Sequence, residues 1–192
     1  RSAAAYFVTL CTHGRACLFG EIDGGRVRLT GAGEMVQAVW AALPQRVPKV
    51  ATDAVIVMPN HVHGILFLDS AGWCDIGCPP PVPVEPGDSP RLLQCPGSDV
   101  GAPLVGALPP GGRSPEPAVP SLSEIVGAFK SLTTVAYLAG VRNLRWPPVQ
   151  GRLWQRGFFE RVVRGPEELS RIRCYIEENP LRWHLDRENP AR

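Results

Sequence analysis

The amino-acid sequence predicts an α+β fold, an antiparallel sheet of four or five strands with helices packed on it. Three observations lead there. Four short stretches, 6–12, 26–30, 52–58 and 62–68, have the composition and length of strands. Three others, beginning near Val36, Leu122 and Leu169, place apolar residues at helical spacing. A chain of 192 residues, 44% of them hydrophobic, can bury one core, as a single domain or a domain with an insertion.

Residues 6–12 read as a strand of aromatic and β-branched types. After the Asp23-Gly24-Gly25 turn, 26–30 form a short second strand, expected to make a hairpin with the first. Val36, Val39, Trp40 and Leu43 fall at i, i+3, i+4 and i+7, the core stripe of a helix that stops near Pro44. Residues 52–58 and 62–68 are two further strands, broken at Pro59-Asn60 by a turn or bulge.

Residues 70–120 change character, with 13 prolines and 8 glycines in 51 positions and no sustained periodicity. Such a segment buries too little apolar surface to offset its ordering entropy, so a disordered Pro/Gly-rich insertion is expected there. It divides the domain into an N-terminal half, 1–69, and a C-terminal half, 121–192. Within it, the proline run 79–83 suits polyproline II, as linker or docking segment.

Order resumes at Ser121-x-x-Glu124, a capping-box pattern. The helix it opens carries Leu122, Ile125, Val126, Phe129, Leu132 and Ala136 as its stripe and is expected to end near Gly140. Beyond it, Arg145, Arg152, Arg156, Arg161 and Arg164 interleave with Trp146, Trp154, Phe158 and Phe159. Cations beside flat aromatic surfaces are what single-stranded nucleic acid needs, although alternation assigns Trp154 and one of Phe158 and Phe159 to the core. The last helix starts at Gly165-Pro166-Glu167-Glu168, with proline at its first position and acids in its first turn. Leu169, Ile172 and Ile176 form its buried stripe, and Tyr175 and Asn179 lie one turn apart on an adjoining face.

The net charge of +2 conceals an asymmetry: residues 1–120 carry 8 Lys/Arg against 10 Asp/Glu, and residues 121–192 carry 12 against 8. Phosphate contacts are therefore expected in the C-terminal half. The six cysteines show no paired Cys-x-x-Cys spacing, and Cys74-x-x-x-Cys78 alone is a poor zinc signature. No membrane span is expected; the apolar residues at the front are interrupted too early for a signal sequence, and an intracellular, reduced compartment follows. The chain begins with Arg rather than Met, so a preceding N-terminal piece is expected.

One motif organises this chain. In Pro59-Asn60-His61-Val62-His63, an extended backbone turns His61 and His63 to one face and Val62, Leu66 and Leu68 to the other. Two imidazoles on one face can hold a cation, or simply bond to neighbours. Tyr175 and Asn179 on one helix face could bring together a nucleophile and a third ligand, an oxygen, or Tyr175 could be a packing tyrosine.

The ordered set Tyr6-Phe7-Val8-Thr9, Pro59-Asn60-His61-Val62-His63, Phe129-Lys130-Ser131, Leu153-Trp154-Gln155-Arg156-Gly157 and Tyr175-x-x-x-Asn179-Pro180 resembles the REP-associated tyrosine transposases of the HUH endonuclease superfamily. The resemblance implies a ferredoxin-like sheet. It also implies an enzyme in which Tyr175 attacks single-stranded DNA beside an imperfect palindrome, a REP-like hairpin. A 5′-phosphotyrosine and a free 3′-OH result, followed by strand transfer. His61, His63 and Asn179 would hold Mg²⁺ or Mn²⁺; two imidazoles alone would equally suit zinc. Lys130, Arg152, Arg156 and Arg164 are the expected DNA contacts. The setting implied is the bacterial cytoplasm, with nucleoid-associated DNA as partner and either a monomer or a homodimer as the acting species. Relatives often carry an acid-His pair where this chain has Glu160-Arg161, which leaves a domesticated, catalytically inactive hairpin-DNA-binding protein as the alternative. A hydrolase using His61 and His63 is disfavoured, because Gly64-Ile65-Leu66 follow where the acids of such a site would stand.

Overall fold

Residues His61–Leu68 form a strand in which every position is buried. The reason lies in its place in the sheet. In the computed structural model, which describes residues 4–69 and 119–191, the strands are β1 (Ala4–Cys11), β2 (Gly20–Asp23), β3 (Arg26–Leu29), β4 (Val50–Val57), β5 (His61–Leu68) and β6 (Phe159–Val163). The helices are α1 (Gly31–Ala41), α2 (Leu43–Arg46), α3 (Leu122–Leu144) and α4 (Pro166–Glu178), the last running into a 3-10 segment, Asn179–Leu185. The main sheet has the order β4-β5-β1-β6, antiparallel at every step. With α1 and α3 as crossovers, this is a ferredoxin-like β-α-β-β-α-β unit, and the expected fold class holds.

Helices cover both faces. On one, Val8, Leu10, Val62 and Leu66 pack against Val36 and Trp40 of α1 and Ile125 and Phe129 of α3. On the other, Ala5, Phe7, Ile65 and Phe67 pack against Leu169, Ile172 and Ile176 of α4. Central β5 is thus enclosed on both sides, which explains its unbroken apolar run. At Gly64 the Trp40 ring comes so close that a Cβ would lie 2.3 Å from it, so only glycine admits the indole this near the histidine strand.

Three expectations need correction. Residues 26–29 do not pair with the first strand; β3 pairs with β2 in a separate two-stranded sheet. Gly24 and Gly25 both have positive φ, 55° and 74°, as a tight two-residue hairpin requires, and such a turn joins its immediate flanks. The stripe of α3 is also rotated after Phe129: Thr133, Tyr137 and Gly140 are buried rather than Leu132 and Ala136. Buried polar groups there are satisfied, since Trp154 Nε1 donates to Thr133 Oγ1 at 2.9 Å and the Tyr137 hydroxyl donates to the Pro147 carbonyl at 2.8 Å. Finally, Gly140 does not end the helix. It is a seat for the Trp146 ring, which would lie 2.1 Å from a Cβ, and α3 continues to Leu144 before Arg145 turns left-handed at φ 58°.

Residues 70–118 of the 70–120 insertion, with the proline run 79–83 and Cys74, Cys78 and Cys95, lie outside the described residues. Among the described residues Cys11, Cys17 and Cys174 are free thiols, and no helix is long and apolar enough to cross a membrane.

Candidate active site

The break at Pro59-Asn60 sets the start of β5 and with it the direction of the two histidines. Cys11 pairs with His61 and Thr9 with His63, so both imidazoles rise on the α4 face of the sheet, in line with Ile65 and Phe67. His61 is fully buried and His63 nearly so. Burial pushes both imidazoles down to about 3, with the neighbouring ring adding to the effect on His63. At neutral pH they are uncharged and able to act as ligands.

Their second nitrogens are oriented from behind. The Asn60 amide nitrogen donates to the carbonyls of Arg15 and Glu188, at 3.1 and 2.7 Å. Its Oδ1 must therefore be the atom 2.9 Å from His61 Nδ1, and an oxygen acceptor there requires Nδ1 to carry the proton. The lone pair of His61 is left on Nε2, which faces His63 Nε2 at 3.0 Å. Thr9 Oγ1 lies 2.9 Å from His63 Nδ1; with His61 Nε2 bare, the proton between the rings belongs to His63 Nε2 and the Thr9 hydroxyl donates to Nδ1, and the same hydroxyl can accept from Nδ1 when a cation replaces that proton.

Asp186 joins the two histidines, and Asn179 lies beside Tyr175. Asp186, beyond the 3-10 segment, has Oδ2 at 3.7 Å from His61 Nε2, and its side chain is only 7% exposed. Asn179 is 3% exposed, and its Oδ1 has no hydrogen-bond partner. A buried amide oxygen without a donor is costly, and a cation would remove that cost. His61, His63 and Asp186 form a group able to hold a metal, with ligand atoms all within 4.8 Å of one another.

Tyr175 lies over this cluster. Its ring meets His63 edge-on at 5.3 Å and Phe7 at 5.9 Å, while Phe7 stacks on His63 at 5.4 Å. Half-exposed at 42%, the phenol is open to a substrate. Burial, followed by the Asp186 carboxylate, raises its pKa, while the Asn179 amide and Arg182 oppose the shift. α4 is held over the sheet by Arg173, whose guanidinium bonds both carboxylate oxygens of Asp53, at the irregularity between Thr52 and Val55 in β4.

Of the expected DNA contacts, Lys130 lies on α3, Arg152 and Arg156 in the loop before β6, and Arg164 just after that strand. Arg152 and Arg156 are exposed and, with Lys130, Ser131, Thr134 and Gln155, line an open groove of about 400 Å³. Lys130 is occupied within the fold: its ammonium donates to the carbonyls of Gln155, at 2.9 Å, and Gly157. This loop is bonded to the sheet through Gln155 N and the Cys11 carbonyl, 2.9 Å apart, at the end of β1 that pairs with His61. Arg164 is exposed at the end of β6, where its backbone N–H donates to Glu168. Arg161 pairs with Glu168 at 2.5 Å.

The structure therefore brings Tyr175, His61 and His63 together, with Asn179 bonded to Tyr175. Sequence reasoning missed Asp186, Thr9 and the orienting role of Asn60. The Pro59-Asn60 pair reads as a turn signal, and nothing in Leu185-Asp186-Arg187 marks a ligand.

The sheet order and the helix cover on both faces define a ferredoxin-like α+β fold. A solved REP-associated tyrosine transposase bound to a REP hairpin superposes with a TM-score of 0.50 at 16% identity, over 93% of this chain and 67% of that one; the chain has that fold. An uncharacterized protein of Haemophilus influenzae is 29% identical over 191 residues, 97% of this chain and 85% of its own length. No family model matches the sequence.

Proposed function

We propose that the protein is a single-stranded DNA transposase or endonuclease that nicks and rejoins hairpin-forming DNA through Tyr175. The observation that carries this reading is the half-exposed phenol of Tyr175 over two buried, neutral imidazoles and the unpartnered Asn179 oxygen. Fold likeness to a transposase bound to a REP hairpin supports a hairpin DNA substrate.

In this reaction the Tyr175 oxygen forms a bond to the scissile phosphorus while the bond to the 3′-oxygen breaks. The phenol proton is lost to solvent and the departing oxygen leaves as a 3′-OH. The 5′-phosphotyrosine keeps the bond energy, so a later 3′-OH can reverse the exchange without ATP. Mg²⁺ or Mn²⁺ held by His61, His63 and Asn179, with Asp186 beside them, would supply Lewis-acid stabilisation of charge on the phosphate. Asn60 and Thr9 orient the imidazoles, Phe7 supports the tyrosine ring, and the end of α4 sets Asn179, its C-cap, one turn after Tyr175. Arg152, Arg156 and Arg164 would contact phosphates, and Lys130 would shape the loop that presents them. Such a protein would act on DNA in the bacterial cytoplasm, as a monomer or homodimer.

A denaturing gel tests this. The protein is mixed with end-labelled single-stranded palindromes taken from the flanks of its own gene, with Mn²⁺, beside Tyr175→Phe and His61→Ala. A labelled covalent adduct lost in both variants is expected. Hairpin binding with no adduct under any divalent ion would favour instead a protein that only recognises hairpins, a reading to which Arg161, engaged with Glu168, lends support.

A further inference from the structure

We infer that Phe159 is the platform on which an unpaired DNA base stacks beside the bond that Tyr175 attacks; the inference rests on the transposase reading above. β6 pairs with β1 so that Val163, Arg161 and Phe159 lie opposite Ala5, Phe7 and Thr9, on the same face of the sheet as the histidines. These three side chains have different fates along the strand. Val163 is buried under α4, Arg161 reaches Glu168 of α4, and Phe159, beyond the cover of that helix, is 58% exposed.

An exposed phenylalanine alone means little. This one is coupled to the nucleophile through a single ring. Phe7 meets Phe159 edge-on at 6.4 Å and Tyr175 at 5.9 Å, so Phe159 lies two ring-to-ring steps from the attacking group. The alternation also resolves the Phe158-Phe159 pair: Phe158 packs on the core and Phe159 points to the site.

The occupant is a base of single-stranded DNA rather than an apolar protein surface. On β6 the residues next to Phe159 are Glu160 and Arg161, both exposed, and charged edge strands discourage pairing between chains. Exposed Arg156 and Arg164 flank the strand, providing the cations that accompany stacking platforms along a phosphate chain. Stacking on a phenyl ring tolerates any base, so Phe159 would hold the strand in place while sequence is read elsewhere.

The test uses a DNA hairpin with short single-stranded thymidine flanks in which one 2-aminopurine is moved through successive flank positions. Binding of the unaltered protein should quench 2-aminopurine at the positions nearest the cut. Phe159→Ala should abolish that quenching and weaken affinity by about 5- to 150-fold. Phe159→Trp should retain both, and Val162→Ala, on the opposite face of the strand, should change neither. The inference is overturned if no flank position is quenched by the unaltered protein, or if Phe159→Ala binds and quenches as before. It is equally overturned if that variant instead changes the oligomeric state in sedimentation with DNA affinity intact. Adduct formation, scored separately, keeps the two readings apart: adduct with an inert Phe159 removes the platform alone, whereas quenching without adduct removes the catalytic reading alone.

Discussion

Asn60 Oδ1 lies 2.9 Å from His61 Nδ1, and the same amide donates to the carbonyls of Arg15 and Glu188. Because those donations fix which end of the amide faces the ring, Asn60 decides which nitrogen of His61 is free to bind a cation. Partners behind metal-binding histidines typically contribute 10- to 100-fold in affinity, roughly. Asn60→Leu should therefore weaken Mn²⁺ binding by about that factor, followed by electron paramagnetic resonance of the free ion. Asn60→Asp, which still accepts from Nδ1, should recover most of it. Unchanged affinity in Asn60→Leu would show that the tautomer is set by something else.

Acid should unfold the metal-free protein early. Burial holds His61 and His63 at about 3 in the folded state, while in an unfolded chain they titrate near 6.5, roughly the free value. Between these limits the unfolded state binds more protons, so stability is present above the upper limit and is lost as pH falls. Each histidine contributes at most about 1.4 kcal/mol per pH unit. Urea denaturation in chelator from pH 7 to 4 should show this slope, and His63→Gln should flatten it. Equal slopes in the two proteins would contradict the assignment.

Attack by Tyr175 should accelerate with rising pH. Its phenol is raised above the ordinary value by burial and then by Asp186, so the phenolate is scarce at neutrality. If deprotonation precedes attack, the single-turnover adduct rate should climb about tenfold per pH unit from pH 6 to 8. Asp186→Asn removes one cause of the raised pKa and should shift the profile to lower pH. A pH-independent rate would point to a slow step other than attack.

Arg173 and Asp53 tie the tyrosine helix to edge strand β4. Their side chains are 30% and 20% exposed, so water screens the pair in part. Arg173→Met should lower stability by about 1–2 kcal/mol, read as a fall in the urea midpoint at constant slope. With α4 less firmly seated, the adduct rate should fall while hairpin affinity stays near its original value. A variant as stable as the parent would mean that apolar packing of Leu169, Ile172 and Ile176 alone seats the helix.

The sequence by itself determined the α+β class, the strand of paired histidines, the start of α4 and the pairing of Tyr175 with Asn179. Each of these is a local matter: strand alternation, a proline at a helix start, and a spacing of one turn are fixed within a few residues. What followed from contacts distant in sequence was decided only by the tertiary structure. β3 chose β2 because a two-glycine turn closes a shorter loop than the one leading back to β1. The buried stripe of α3 rotated to Thr133 and Tyr137 because Trp154 and the Pro147 carbonyl satisfy their hydroxyls, partners that helical periodicity cannot register. Asp186 joined the histidines only because the chain after α4 folds back over β5, more than a hundred positions from His61 in sequence. A cluster drawn from positions so far apart in the chain is a property of topology, and no local spacing encodes it.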